Sequence, residues 1–146
     1  CGLNPFALPW MGLPAGSSYH GMDADGRVVD LARLALPHLH LPELARPAAV
    51  EIGEVLASAL VTSNRFDVVL LLKTIPTIER LSPGASKELL QRISAPVVVI
   101  STATGSLGRR SRRHLRHDAK IERIVEESGR KASRFRIASE AVVVAW

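Results

Sequence analysis

A chain of 146 residues, 47% hydrophobic and 23% charged, has the composition of one globular domain and excludes a disordered tail. The apolar runs at 68–72 and 97–100 are far too short to cross a bilayer, and the first residues lack the basic and apolar stretches of a signal peptide. One cysteine excludes an intrachain disulfide and a cysteine-clustered zinc site, and suits a reducing cytoplasm.

Residues 2–5 read as a loop, and 6–11 as a short helical turn interrupted at Pro9. A strand over 18–22 ends at Asp23. Gly26 opens a helix to about His38, with Val28, Leu31, Leu34 and Ala35 at helical spacing. Pro42 and Pro47 bracket a connector to a strand over 48–52, followed by a short helix over 54–60 and a polar turn over 62–65. The continuous apolar run 66–72 predicts a strand covered on both faces. Pro83 and Gly84 open a helix to about Ile93 with Leu89, Leu90 and Ile93 inward; 97–100 is another buried strand, ending at Ser101.

A Gly/Ser/Arg loop over 102–113 leads to a helix over 115–128, with Leu115, Ala119, Ile121, Ile124 and Val125 on one face and Gly129 as its C-cap. Residues 133–137 and 141–146 close the chain as an antiparallel pair. Alternating strands and helices predict an α/β fold with a mostly parallel sheet.

The net charge of +5 is concentrated in one segment. Setting aside Arg109, Arg110, Arg112, Arg113 and Arg116 leaves fourteen cations for fourteen acids. Such a run is either a solvated helix surface or a phosphate-binding patch, and arginine throughout favours the second. Gly2 precedes a short helix and a strand ending in Asp23. In nucleotide-binding α/β folds, a glycine after the first strand lets backbone approach the ligand, and an acid ending the second bonds the ribose. Two adjacent hydroxyls suit a carboxylate's two oxygens. Asp25 is the better helix N-cap, which leaves Asp23 for the ribose. Lys73 follows the strand 66–72, at the strand end where such sheets bind ligands, although a lysine there also snorkels to solvent. The five histidines show no metal-ligand spacing, and there is no Ser-His-Asp set.

The blocks CGLNPFALPWMGLP, YHGMDAD, DVVLLLKTIPTIE and VVVISTATGSLGRR resemble, in order and spacing, those of the 16S ribosomal RNA (guanine(1405)-N7)-methyltransferases of the actinomycete, aminoglycoside-resistance type. The resemblance runs from Cys1 to the terminal EAVVVAW. It implies a class I S-adenosylmethionine-dependent, Rossmann-like fold with a C-terminal antiparallel hairpin. The first strand would precede Cys1, so that 1–146 is the cofactor-binding domain without the N-terminal RNA-binding region. On that expectation the stretch alone is poorly stable and inactive, because an absent central strand leaves two edges open. The implied partner is 16S rRNA in the 30S subunit, methylated at N7 of guanine 1405 by a cytoplasmic monomer.

Carried over, Gly2 and the backbone at Asn4 line the methionine and ribose side of the cofactor, and Asp23 holds the ribose. Glu54, where the family generally has Asp, faces the adenine amino group. Leu72 and Lys73 border the reaction cavity. Ser106-Leu107-Gly108-Arg109-Arg110 matches a loop at the substrate entrance, but Ser111-Arg112-Arg113-His114 replaces the usual second glycine and Lys-Gly-Met. The arginines remain suited to RNA phosphates. No catalytic base and no metal are implied, because guanine N7 bears a lone pair and no proton. A methyltransferase of the same fold acting on another RNA or a small molecule, and an inactive RNA-binding fragment, are the alternatives.

Overall fold

The structure, a computed structural model, describes Gly2 and residues 4–62, 66–103, 113–138 and 140–146, and for 113–118 the backbone alone. Two compact units divide the chain, Cys1–Ser58 and Ala59–Trp146. Each carries its own sheet.

In the first unit, β1 (His20–Asp23) and β2 (Ala49–Ile52) pair in parallel, from His20 against Ala49 to Asp23 against Ile52. Between them runs α1 (Gly26–Ala35). It starts where extended Asp25 accepts a bond from the Arg27 N–H at 3.0 Å, and Pro37 turns its end into a 3-10 helix over Leu36–His38. Residues Asn4–Trp10 form another 3-10 helix that tolerates Pro9. Leu8, Val29, Ala32, Leu36 and Val50 make the core, with Phe6, Met11, Leu13 and Tyr19 packed against it.

Helix α1 therefore turns a different stripe inward from the one its spacing suggests. Leu31 and Leu34 are 49% and 72% exposed, while Val29 and Ala32 are buried. The helix is apolar on two overlapping stripes. The small Ala32 admits a close approach, and Arg33 fixes the rotation by donating Nε–H to the Val50 carbonyl at 2.9 Å. The expected helix over 54–60 is also absent. A turn closed by the Ala57 N–H on the Glu54 carbonyl is followed by a 3-10 helix over Ala59–Thr62. Seven residues are below the length at which helix propagation repays nucleation.

The second unit orders its strands β3–β4–β6–β5, where β3 is Val68–Leu72, β4 Val97–Ala103, β5 Ala132–Ile137 and β6 Glu140–Ala145. Strands β3 and β4 are parallel, whereas β6 is antiparallel to β4 and forms the closing hairpin with β5. The run at β3 is not covered on both faces. It is an edge strand with Val68 and Leu70 48% and 40% exposed; β4, flanked on both sides, is the buried one, with Val98 and Ile100 inside.

Helix α2 (Thr74–Leu81) is not among the expected elements. Pro76 lies in its first turn, where a missing N–H costs nothing, and Ile75 and Ile78 face inward. Helix α3 (Ala85–Arg92) buries Leu89 and Leu90, with Ile93 just beyond it, as expected. Helix α4 (Arg113–Glu127) buries Ile121, Ile124 and Val125, while Ala119 is exposed. Gly129, at φ 89°, ends it: its N–H reaches the Glu126 carbonyl, and the Arg130 N–H reaches that of Val125. The Arg130 guanidinium then donates to the carbonyls of Leu90, Ile93 and Ala95, tying the end of α3 to the start of β5. Among the described residues no helix is long and apolar enough to cross a membrane.

Candidate functional site

Asp23 closes β1 at the carboxyl edge of the first unit's parallel pair. Its Oδ2 accepts the Gly2 N–H at 2.6 Å, and its Oδ1 accepts the Asp25 N–H at 2.9 Å. The loop at the start of the chain and the acid twenty-one residues later are thus in direct contact. Partial burial pushes the Asp23 carboxyl up, but hydrogen bonds from the N–H groups of Asp25 and Gly2 oppose it, and the group lies below its ordinary value. Asp23 is therefore ionised at neutral pH. A carboxylate's two oxygens are matched to two adjacent hydroxyl donors. Gly2 contributes backbone alone, at φ 52°.

The neighbouring strand end is joined to this one. The Gly53 N–H donates to the Asp23 carbonyl at 3.0 Å, extending the ladder one residue past β2. A Cβ at Gly53 would lie 3.1 Å from the Met22 sulfur, so a side chain there would have to push the Met22 side chain aside by a few tenths of an ångström. Glu54 follows, exposed, which places its side chain in solvent beside the same edge. Asn4 opens the first 3-10 helix, and its Oδ1 accepts the Tyr19 hydroxyl at 3.3 Å. Burial pushes the Tyr19 phenol up to about 12, so it keeps its proton as a donor.

In the second unit, the Leu72 carbonyl ends β3 and accepts the Thr74 hydroxyl at 3.2 Å. Lys73 occupies the left-handed region, at φ 58° and ψ 15°, and its N–H donates to the Ser101 carbonyl at 2.8 Å. Its ammonium does not simply run out to solvent: Nζ lies 2.8 Å from Glu140 Oε1. The Lys73 ammonium lowers the Glu140 carboxyl below its usual range. Partial burial opposes this, and the nearby Ser101 hydroxyl, not aligned for a full hydrogen bond, adds a smaller downward pull.

Glu140 escaped the sequence reading. The signal was an acid opening an apolar strand, and only the antiparallel register, which sets Glu140 against Ala103 at the end of β4, brings it to Lys73.

Arg109, Arg110 and Arg112 lie outside the described residues. Arg113 and Arg116 fall on the backbone of α4. Two shallow hollows of about 200 and 270 Å³ lie among α2, α3 and α4, walled by Glu79, Lys120, Arg123 and their neighbours, and neither includes Asp23, Lys73 or Glu140. Their walls are charges already paired with each other: Glu79 with Lys120, and Arg123 with Glu127. Neither hollow is a candidate for the chemistry. Among the described residues no group of three or more His, Cys, Asp or Glu side chains is placed to hold a metal ion.

Comparison with known proteins places these features in context. The family model for ribosomal RNA methyltransferase (FmrO) matches residues 1–144. A 16S rRNA (guanine(1405)-N(7))-methyltransferase of Frankia casuarinae is 36% identical over 99% of this chain and 49% of its own length. One from Micromonospora rosea is 32% identical over 99% of the chain and 50% of its own length. The chain thus spans about half the length of the curated relatives it matches.

Among solved structures, the 16S rRNA methyltransferase RmtF in complex with S-adenosyl-L-homocysteine superposes with a TM-score of 0.71 at 27% identity, over 99% of this chain and 53% of that one. The 16S rRNA methylase ArmA gives 0.72 at 20% identity, over 99% and 69%. Their shared architecture is the class I methyltransferase fold.

Proposed function

The chain belongs to the ribosomal RNA methyltransferase (FmrO) family, and from that premise we propose that it carries cofactor-binding and methyl-transfer residues of an enzyme that methylates N7 of guanine 1405 in 16S rRNA of the 30S subunit. The relatives carry that activity in their names, and the consequence would be resistance to aminoglycosides of the kanamycin and gentamicin group. The observation that carries the reading is the Gly2 N–H on the Asp23 carboxylate, at the strand edge where such folds bind nucleotides.

The residues present fit S-adenosylmethionine. Asp23, an ionised carboxylate at the end of β1, would take the two ribose hydroxyls. Gly2 and the backbone at Asn4 would line the methionine side, and Glu54 would accept from the adenine amino group. Leu72 and Lys73 carry the roles at the cavity border that the family resemblance gives them. When bound, the cofactor supplies a methyl group on a sulfonium. The lone pair of guanine N7 forms the new carbon–nitrogen bond as the carbon–sulfur bond breaks, and no proton leaves the base. The protein's task is then orientation and a shaped site rather than proton transfer. A base inside folded RNA must also be turned out of its stack to be reached. Arg109, Arg110, Arg112, Arg113 and Arg116 would hold the RNA by its phosphates.

The test is to incubate 30S subunits with methyl-labelled S-adenosylmethionine and a protein carrying this chain, then map the labelled base. Label at N7 of guanine 1405 is the expected result. Label at another RNA position, or on small molecules only, removes the proposed substrate. RNA binding without cofactor binding would leave a non-catalytic RNA-binding chain.

A further inference from the structure

The clasp between Lys73 and Glu140 lies at the carboxyl ends of β3 and β4, the edge where open α/β sheets bind ligands. Methyl transfer to a ring nitrogen that bears no proton does not require it. Both partners remain accessible, with side chains 62% and 34% exposed. An ammonium has three N–H donors and a carboxylate about four acceptor positions, so one mutual contact exhausts neither. The pair therefore presents a donor beside an acceptor, 2.8 Å apart. Its position is set by backbone rather than chance: Lys73 is in the left-handed region, its N–H is bonded to the Ser101 carbonyl, and Glu140 is in register with Ala103. Non-glycine residues in that conformation recur at functional sites.

We propose that Lys73 and Glu140 together read the Watson–Crick edge of a guanine, Lys73 donating to O6 and the Glu140 carboxylate accepting from N1–H and the 2-amino group. The inference rests on the reading that a guanine is the methyl acceptor. Guanine offers an acceptor next to two donors along that edge, the complement of an ammonium next to a carboxylate. Adenine offers a 6-amino donor to the ammonium and the N1 acceptor to the carboxylate, so both contacts turn repulsive. Gripping this edge also leaves N7, on the adjoining Hoogsteen edge, free to react. A protein that read N7 itself would block the reacting atom.

The experiment titrates a protein carrying this chain with guanosine, 1-methylguanosine and adenosine 5′-monophosphates, followed by ligand-observed NMR, with S-adenosylhomocysteine titrated in parallel. Guanosine monophosphate is expected to bind at least about tenfold more tightly than the other two. Glu140→Gln, which swaps one acceptor oxygen for a donor, is expected to erase that preference. Equal binding of the three nucleotides by the unaltered chain, no binding of any of them, or a preference that survives in Glu140→Gln overturns the proposal. The 1-methyl probe needs no variant, so the outcome does not depend on how Glu140→Gln folds. If guanine is not preferred while S-adenosylhomocysteine binds, the proposal alone fails. If neither binds, the methyl-transfer reading fails with it.

Discussion

Residues 1–58 and 59–146 are held together by different materials. Among its described residues the first unit buries five hydrophobic side chains, Leu8, Val29, Ala32, Leu36 and Val50, and gathers polar bonds on Asp23 at the end of β1. The second buries sixteen among its described residues, along β4, β6 and the inner faces of α2, α3 and α4. Apolar burial is the main favourable term in folding, at about 25 cal/mol per Å², so the second unit is the more robust. The first keeps its charged groups where a ligand can add to them. A ligand that binds the folded form stabilises what it touches, and the thinly cored unit is the one with most to gain.

The largest expected effect is in the second unit. Leu89 is fully buried, and Leu89→Ala should cost about 3 kcal/mol in urea unfolding. A loss below about 1 kcal/mol would mean that the helical layer is not the main store of stability. Arg130→Ala should come next, at about 2 kcal/mol, because three carbonyls lose a charged donor at once. Amide exchange confined to the end of α3 and the start of β5 would show it.

Asp23→Ala should weaken S-adenosylhomocysteine about tenfold or more by calorimetry, roughly 1.4 kcal/mol, while barely moving the unfolding of the second unit. Unchanged affinity removes Asp23 from the site. The same carboxyl predicts a pH effect. Its folded value lies below its ordinary 3.8, so its contribution is full above 3.8 and is lost as pH falls below that. Amide exchange at Asp25 and Gly53 should speed up over that window, and Asp23→Asn should flatten the dependence. The smallest change is Lys73→Gly. It relieves a left-handed lysine but loosens the unfolded chain and removes an exposed ion pair, so stability should shift by less than about 1 kcal/mol.

The strands at β1, β2, β3 and β4, the helices α3 and α4, and the closing hairpin were legible because apolar runs and Gly or Pro boundaries mark them locally. Asp25 as the α1 cap was legible for the same reason: the bond spans two residues. What escaped was non-local. The rotation of α1 is decided by Arg33 reaching Val50 across the unit, and two apolar stripes give sequence periodicity no way to choose between them. The Lys73–Glu140 pair joins residues far apart in the chain through a register no local pattern encodes. Helix α2 was hidden by Pro76, which breaks helices in their interior but not in their first turn. Edge status misled at β3, where composition alone looks the same for a covered strand and an open one.

The sulfur of Met22 packs closely over Gly53, 3.1 Å from where a Cβ would stand. Oxidation to the sulfoxide would add a polar oxygen at a contact that is already tight. The paired ends of β1 and β2 should therefore be loosened by peroxide, and a reductase acting on methionine sulfoxide should restore them.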